Sequence, residues 1–484
     1  MSRVLACALA LAACDPAGAT DPGPSIAVLG ESTRYRIGDP LPRVTPWFDG
    51  ERLSLAAARG ETIGLQVVTS NDAPIVFELA GVDVRVFDVE AIEVARPSTP
   101  GLYGASAGKG RYADGLIPRP SPSSPSHVRY VEVRVPREMA IGSLQGALIV
   151  GDARYPVELA VADVTIPTRR PRVWAYEDPR ELAWASKGAM PSRAIPSAAE
   201  RACMSMFRDH GVLLTPDIHI DWWPSRKADF AGIRDVPVVI SADPAKAGDE
   251  VRAWIAATKG TGHVPFAIPI DEPRTAKRIQ DVVALGTVIR AAGGGPNTFR
   301  FAVTAPPRPE WLGLVDQFIQ LRPAPRSGAW AYNGLPPYSG AMILDAETPG
   351  PRTWGWLMHR DGIPQWYVWD ALYWHDRHNR KGAPLPGRAL DLRDPVSFDD
   401  GEDHGNLDGV LALPADGGCR PTLRLAALRR GQQDRELLEL AKACDPMATA
   451  MVVARTMPVA GWPTDERVWE RSRRELIEIA TCRR

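Results

Sequence analysis

At 484 residues the chain is too long for one ordinary domain of about 150 residues, so two or three domains are expected. Apolar content of 45% and charged content of 24% exclude wholesale disorder. Lys+Arg of 57 against Asp+Glu of 58 gives a net charge of -1, which excludes nucleic acid as the expected partner, because phosphate binding needs a basic surplus. The 46 Pro and 42 Gly point to many turns, as in a strand-rich chain, and the 15 Trp are rings of the kind proteins use to hold sugars, lipids or peptides.

In chain order, Arg3 precedes an apolar run from Val4 to Ala13 that is too short to cross a bilayer. The run ends in Leu11-Ala12-Ala13-Cys14, which resembles a bacterial lipobox. The segment 1–13 is therefore expected to be a lipoprotein signal peptide and Cys14 the lipidated first residue. The Pro- and Gly-rich segment 14–25 is expected to be a tether from the membrane. The expected location is the bacterial cell envelope, anchored by lipid and facing the periplasm or the cell surface. An ordinary secretory signal with an incidental cysteine is the alternative.

Residues 26–165 alternate with period two in short runs, such as Ile63–Val68, Val82–Phe87 and Tyr130–Val135. Several such strands between turns suggest a β-sandwich. Pro97 to Ser126 is expected to be a long loop, and Ile166 to Pro171 a linker. Beyond it, residues 172–445 switch to strand-then-helix texture. Candidate strands are Arg172–Glu177, Val212–Asp217, Val236–Ile240, Val264–Ile270, Thr298–Val303, Gln317–Leu321, Ala329–Tyr332 and Gln365–Trp369. Ser197 to His210 and Arg274 to Ala292 are expected helices, the first capped by Ser197. Eight such units favour a (β/α)8 TIM-type barrel, so the expected fold class is a β-sandwich domain followed by that barrel. A doubly wound sheet is the rival, but no Gly-rich phosphate fingerprint follows the first strand. Residues 446–484 are expected to be a helical extension.

Export changes how the cysteines read. Cys203, Cys419, Cys444 and Cys482 have the wrong spacing for zinc, and thiols in an oxidising compartment pair. In a closed barrel the first and last helices are neighbours. That favours Cys203–Cys419 and Cys444–Cys482 among the possible pairings.

The sharpest chemical signal is Ile268-Pro-Ile-Asp271-Glu272-Pro273. Two carboxylates sit where an apolar strand stops, at the end of the strand that faces a barrel's active-site mouth. Like charges this close raise at least one pKa, as a general acid requires. The plainer account is an Asp-Glu pair complementing a helix dipole. Gly104-Ala-Ser106-Ala-Gly108 matches a nucleophile-elbow pattern, but not between a strand and a helix. His375 with His378, and Asp399 to Asp403, read as solvated loops, so no metal is expected. Asp217, His219, Asp221, Trp222 and Trp223 follow the second strand, where they could shape a substrate subsite.

Several segments together resemble glycoside hydrolase family 123, the β-N-acetylgalactosaminidases, and related bacterial proteins sharing that catalytic domain. Ala56 to Val67, Tyr112 to Pro118 and Val133 to Gly142 are similar to its strand segments. Asp271-Glu272-Pro273 falls on its catalytic pair. Trp330-Ala-Tyr332-Asn333, Arg352 with Trp356, and Trp366 to Trp369 with Trp374 resemble its aromatic strand-end motifs, and Asn406 to Gly409 and Leu423 to Asp434 its later motifs. The chain departs from the pattern at Leu425, Ala426, Gln433 and Arg435. The resemblance implies substrate-assisted hydrolysis of a β-linked N-acetylhexosamine, with the substrate's acetamido oxygen as nucleophile and no cofactor. Asp271 would orient the acetamide and Glu272 would be the acid and base. Tyr332, Asn333, Trp330, Trp369, Asp370 and Trp374 are the expected substrate-binding residues. The implied partner is a glycan carrying N-acetylhexosamine, and the resemblance favours N-acetylgalactosamine as the sugar. Two rivals are a non-catalytic carbohydrate-binding protein on the same fold, and a conventional two-carboxylate glycosidase using Asp370 as nucleophile.

Overall fold

The computed structural model describes residues 26–70, 73–118, 127–168, 170–185, 194–374 and 390–482. The signal segment with Cys14, and His375 with His378, lie outside the described residues. The first half is built from β1 (Ile26–Gly30), β2 (Leu53–Arg59), β3 (Thr62–Thr69), β4 (Ile75–Leu79), β5 (Asp83–Val94), β6 (Gly110–Pro118), β7 (Val128–Arg134), β8 (Gly142–Val150) and β9 (Ala153–Thr165). They form a five-stranded sheet in the order β1-β3-β7-β5-β6 and a four-stranded sheet in the order β2-β9-β8-β4. Period-two patterning explains the layering. In β4, Ile75, Phe77 and Leu79 are buried while Val76 and Glu78 face solvent. Val28, Leu65 and Val131 of one sheet share a core with Leu55, Leu148 and Leu159 of the other. The expected loop between Pro97 and Ser126 instead carries a helical turn, Pro100–Tyr103, and the paired strand β6.

The second half holds β10 (Val173–Tyr176), β11 (Val212–Thr215), β12 (Asp235–Pro237), β13 (Val264–Ala267), β14 (Arg300–Val303), β15 (Gln317–Gln320), β16 (Trp330–Tyr332) and β17 (Trp366–Val368). All are parallel, in the order β11-β10-β17-β16-β15-β14-β13-β12. Strands such as β11, β13 and β14 are buried throughout, as strands covered on both faces must be.

The (β/α)8 barrel is not what these strands build, and the expected fold class is corrected on two counts. The ladder stops between β11 and β12, which are joined only by the isolated bridge Ile218–Val238. The helical ring is also incomplete. Between β14 and β15 there is only the 3-10 turn Pro309–Trp311, and no helix separates β15 from β16. The cause is legible in the chain: Pro306, Pro307 and Pro309 occupy the first connection, and Pro323, Pro325 and Gly328 the second. Proline removes a backbone donor and clashes inside a helix. The outcome is a curled, eight-stranded parallel sheet, followed by the hairpins β18 (Val396–Asp399) with β19 (His404–Asn406) and β20 (Ala412–Ala415) with β21 (Gly418–Pro421).

Three helices close the chain, Leu423–Cys444, Pro446–Thr456 and Glu466–Ala480. Cys203 is bonded to Cys419, and Cys444 to Cys482, with Cα separations of 5.5 and 5.3 Å. The helix Leu423–Cys444 is buried along most of its length and carries charge into the interior. Arg424 meets Asp114 of β6 at 2.9 Å with neither side chain exposed. Arg429 pairs with Glu31 and Glu132, and Arg430 reaches Glu61 at 2.6 Å and Glu470 at 3.1 Å. Arg352 of the helix Arg352–Arg360 adds Asp434 at 2.7 Å. That contact depends on close backbone approach. A Cβ on Gly355 would stand 1.8 Å from the carbonyl oxygen of Gly431.

Removing one partner of such a buried pair leaves an uncompensated charge, which costs about 3–5 kcal/mol. Urea unfolding of Glu61→Ala, followed by tryptophan fluorescence, is expected to show a loss of that size. Breaking the exposed Lys277–Asp281 pair with Asp281→Ala should leave the midpoint nearly unmoved.

Candidate active site

The C-terminal ends of the parallel strands bring together residues from distant parts of the sequence. Asp271 and Glu272 follow β13 after a short extension, with Asp271 exposed and Glu272 half-buried. Along a regular strand their side chains would diverge. Here Glu272 takes a left-handed backbone conformation, φ 42°, which turns the chain and is strained for a residue with a Cβ.

Thr304, the residue after β14, holds this turn. Its hydroxyl donates to Asp271 Oδ1 and accepts from the Glu272 backbone N–H at 2.7 Å. Arg278 donates to the Asp271 carbonyl at 2.6 Å, and Arg274 pairs with Glu272 at 2.7 Å. Burial pushes the Glu272 carboxyl upward, and the charge of Asp271 adds to the shift against the opposing pull of Arg274 and Arg278.

Tyr332 ends β16 and stacks on Tyr367 with ring centroids 5.4 Å apart, and Tyr367 stacks on Trp174 at 4.4 Å. Burial, then the charges of Asp271 and Glu272, hold the Tyr332 phenol far above its usual pKa. It stands beside the carboxylates as a neutral hydrogen-bond donor. A cavity of about 670 Å³ opens next to Glu272, Thr304 and Tyr332.

The other expected binding residues divide. Trp369 is half-buried, and its indole donates to Asp408 Oδ1 at 3.3 Å. Asp408 also accepts from the Tyr103 hydroxyl at 2.7 Å. Asn333 is occupied by the framework: its Oδ1 accepts from the Trp369 N–H at 3.1 Å, and its own N–H donates to the Tyr367 carbonyl at 2.9 Å. Asp370 is buried and accepts from the Leu372 N–H at 2.8 Å, and burial drives its carboxyl well above the usual range. Two tryptophans are not at the mouth. Trp374 is fully buried, donating to the Ala412 carbonyl at 3.0 Å. Trp330 packs edge-on to Phe266 at 4.9 Å and borders a separate cavity with Arg172, Arg234 and Arg300, at the opposite ends of the strands. Trp356, grouped in the sequence with strand-end aromatics, instead lies buried in a helix, bonded to Asp434 at 3.0 Å.

Asp217, just past β11, belongs to the same mouth, since its charge acts on Tyr367 together with those of Asp271 and Asp370. Burial pushes its carboxyl up to about 7. Sequence reasoning missed Thr304, Arg274 and Tyr103. Thr304 stands one residue past an apolar strand, so the strand-end rule that picks out Asp271 could have found it. Tyr103 comes from the first half of the chain and carries no such signal. Ser106 of the nucleophile-elbow pattern donates to Asp345, a carboxylate that also accepts from Ser98. No group of metal-binding side chains occurs among the described residues, and no helix among them is long and apolar enough to cross a membrane.

No family model and no curated protein sequence matches the chain. Among solved structures, a family 123 glycoside hydrolase from Clostridium perfringens, described as hydrolysing glycolipid glycans, aligns with a TM-score of 0.60. The alignment covers 94% of this chain and 97% of that one at 10% identity. The fold is that of a family 123 glycoside hydrolase. A family 2 member from Bacteroides cellulosilyticus matches at a TM-score of 0.28 and 8% identity, covering 65% of this chain and 44% of that one. An overlap that loose fixes no fold.

The Arg274–Glu272 pair yields a directional test. Arg274 favours ionised Glu272, so Arg274→Ala should move the Glu272 titration, followed by carboxyl-carbon NMR, to higher pH. An unchanged or lowered midpoint would show that the pair does not form in solution.

Proposed function

We propose that the protein is a glycoside hydrolase that removes β-linked N-acetylhexosamine, N-acetylgalactosamine being the favoured sugar, with the substrate's own acetamide as nucleophile. The observation that carries this reading is the Asp271–Glu272 turn, with one carboxylate fixed by Thr304 and the other raised toward the protonated form, beside the neutral donor Tyr332. Likeness of fold to the Clostridium perfringens enzyme supports the reaction class.

In this reaction Glu272 gives its proton to the leaving glycosidic oxygen while the acetamido oxygen attacks the anomeric carbon, closing an oxazolinium ring. Asp271 accepts from the acetamido N–H and balances the positive charge that develops there. Tyr332 donates to the acetamido oxygen, and Trp369 offers a ring face to the sugar. Glu272, now ionised, takes a proton from the water that opens the ring. A conventional mechanism would need a second ionised carboxylate about 5 Å from the acid. Asp370 is poorly suited to that task, because burial favours its neutral form.

Aryl β-N-acetylgalactosaminide, β-N-acetylglucosaminide and unacetylated β-galactoside, assayed side by side, separate the readings. Hydrolysis confined to the acetamido sugars is expected, with Glu272→Gln and Asp271→Asn each lowering kcat by roughly 10²–10⁴. Comparable turnover of the unacetylated sugar would remove the substrate-assisted mechanism, and binding without turnover of any would leave a carbohydrate-binding protein. Thr304 acts as a positioning residue. Thr304→Val should lower kcat roughly tenfold or more with KM little changed, and Thr304→Ser should restore it.

Lipid-anchored export is proposed from Leu11 to Cys14. Palmitate labelling of the expressed protein should disappear in Cys14→Ser.

A further inference from the structure

We infer that the leaving-group side of this pocket is built for an acidic glycan, one carrying a carboxylate or sulfate on the sugar next to the cleaved N-acetylhexosamine. The inference rests on the proposed role of Glu272: the acid that protonates the leaving oxygen must face the leaving group, so the cavity beside it holds that group. This cavity of about 670 Å³ is lined by Arg274, Arg308 and Arg322, and Glu272 is the only carboxylate among its lining residues.

One arginine is enough to pair with Glu272, and Arg274 does so at 2.7 Å. The other two have no such partner. Neither Arg308 nor Arg322 makes an ion pair among the described residues, and each lies against an aromatic ring instead. The Arg308 guanidinium is 5.4 Å from the centre of the Trp311 ring, and that of Arg322 is 3.4 Å from the centre of the Tyr338 ring. Ring contact leaves the planar edge of a guanidinium, with its forked donors, free for an oxyanion. Arg308 is also flanked by Pro307 and Pro309, which restrict the backbone on both sides and lower the entropy lost on binding. The concentration of positive charge is local, since the chain as a whole has a net charge of -1. Carboxylate and sulfate are the anionic groups that sugars commonly carry, and both accept paired hydrogen bonds from arginine.

The test measures binding and turnover separately. Calorimetry on the Glu272→Gln protein compares two disaccharides, N-acetylgalactosamine β-linked to glucuronate and the same sugar linked to glucuronamide. A second pair carries galactose with and without a 6-sulfate in the leaving position. An acidic ligand of at least one pair is expected to bind roughly tenfold more tightly than its neutral partner, through a charge-assisted hydrogen bond. The preferred pair identifies carboxylate or sulfate as the source. Adding Arg308→Ala and Arg322→Ala to the same protein should collapse the ratio toward unity, and so should raised salt.

Equal or weaker binding of both acidic ligands overturns the inference, as does a preference that survives loss of both arginines. Turnover by the wild-type enzyme is scored apart. Acid-selective binding without hydrolysis of any of the four ligands would sustain the acidic subsite while removing the catalytic reading. Hydrolysis with no acid preference would do the reverse.

Discussion

The fold depends on charge buried between its two halves. Glu31, Glu61 and Glu132 come from the N-terminal sheets, and Arg429 and Arg430 from the helix Leu423–Cys444. Glu470 and Arg473 of the last helix join them, with Arg473 contacting Glu61. None of these side chains is well exposed, so each needs the others to offset its desolvation. Apolar surface would hold the halves together in many relative positions. Forked guanidinium contacts to named carboxylates accept few, so the cluster fixes geometry more than it adds stability.

That geometry reaches the candidate site through short physical links. Arg424 binds Asp114 and also donates to the carbonyls of Met342 and Leu407, at 3.0 and 3.1 Å. Leu407 immediately precedes Asp408, which receives hydrogen bonds from Tyr103 of the first half and Trp369 of the second. The aromatic ring proposed to face the sugar is therefore positioned by both halves of the chain.

Elements specified by local chemistry were legible in the sequence. Seven of the eight parallel strands lie within the segments their apolar runs marked, the eighth starts one residue early at Asp235, and Ser197 caps its helix through the Glu200 N–H as expected. Long-range outcomes were harder to read. The prolines that deny helices to two connections stand in the sequence, but the barrel expectation rested on the count of eight strands and took no account of them. The helix Pro446–Thr456, capped by Asp445, was not marked as an element of its own within the expected extension 446–484. Among the tryptophans, residue type and clustering could not distinguish a ring at the mouth, Trp369, from one in the core, Trp374, because burial depends on which elements pack on each face. Asp271 and Glu272 were singled out because strand-end position and residue type coincide there. Thr304 also stands at a strand end, but a neutral hydroxyl draws no notice there, and the contacts that give it a role lie 32 and 33 residues away.

The left-handed backbone at Glu272 has an evolutionary consequence. Glycine and asparagine adopt that conformation more readily than glutamate. A single replacement there would relieve strain at the moment it removed the proposed acid, so selection for stability alone favours losing the chemistry. Lineages released from the need to cleave a glycan would drift toward a sturdier protein with the same pocket. If Glu272 is the acid proposed above, its replacement by glycine or asparagine in a related chain would mark a binding protein descended from an enzyme.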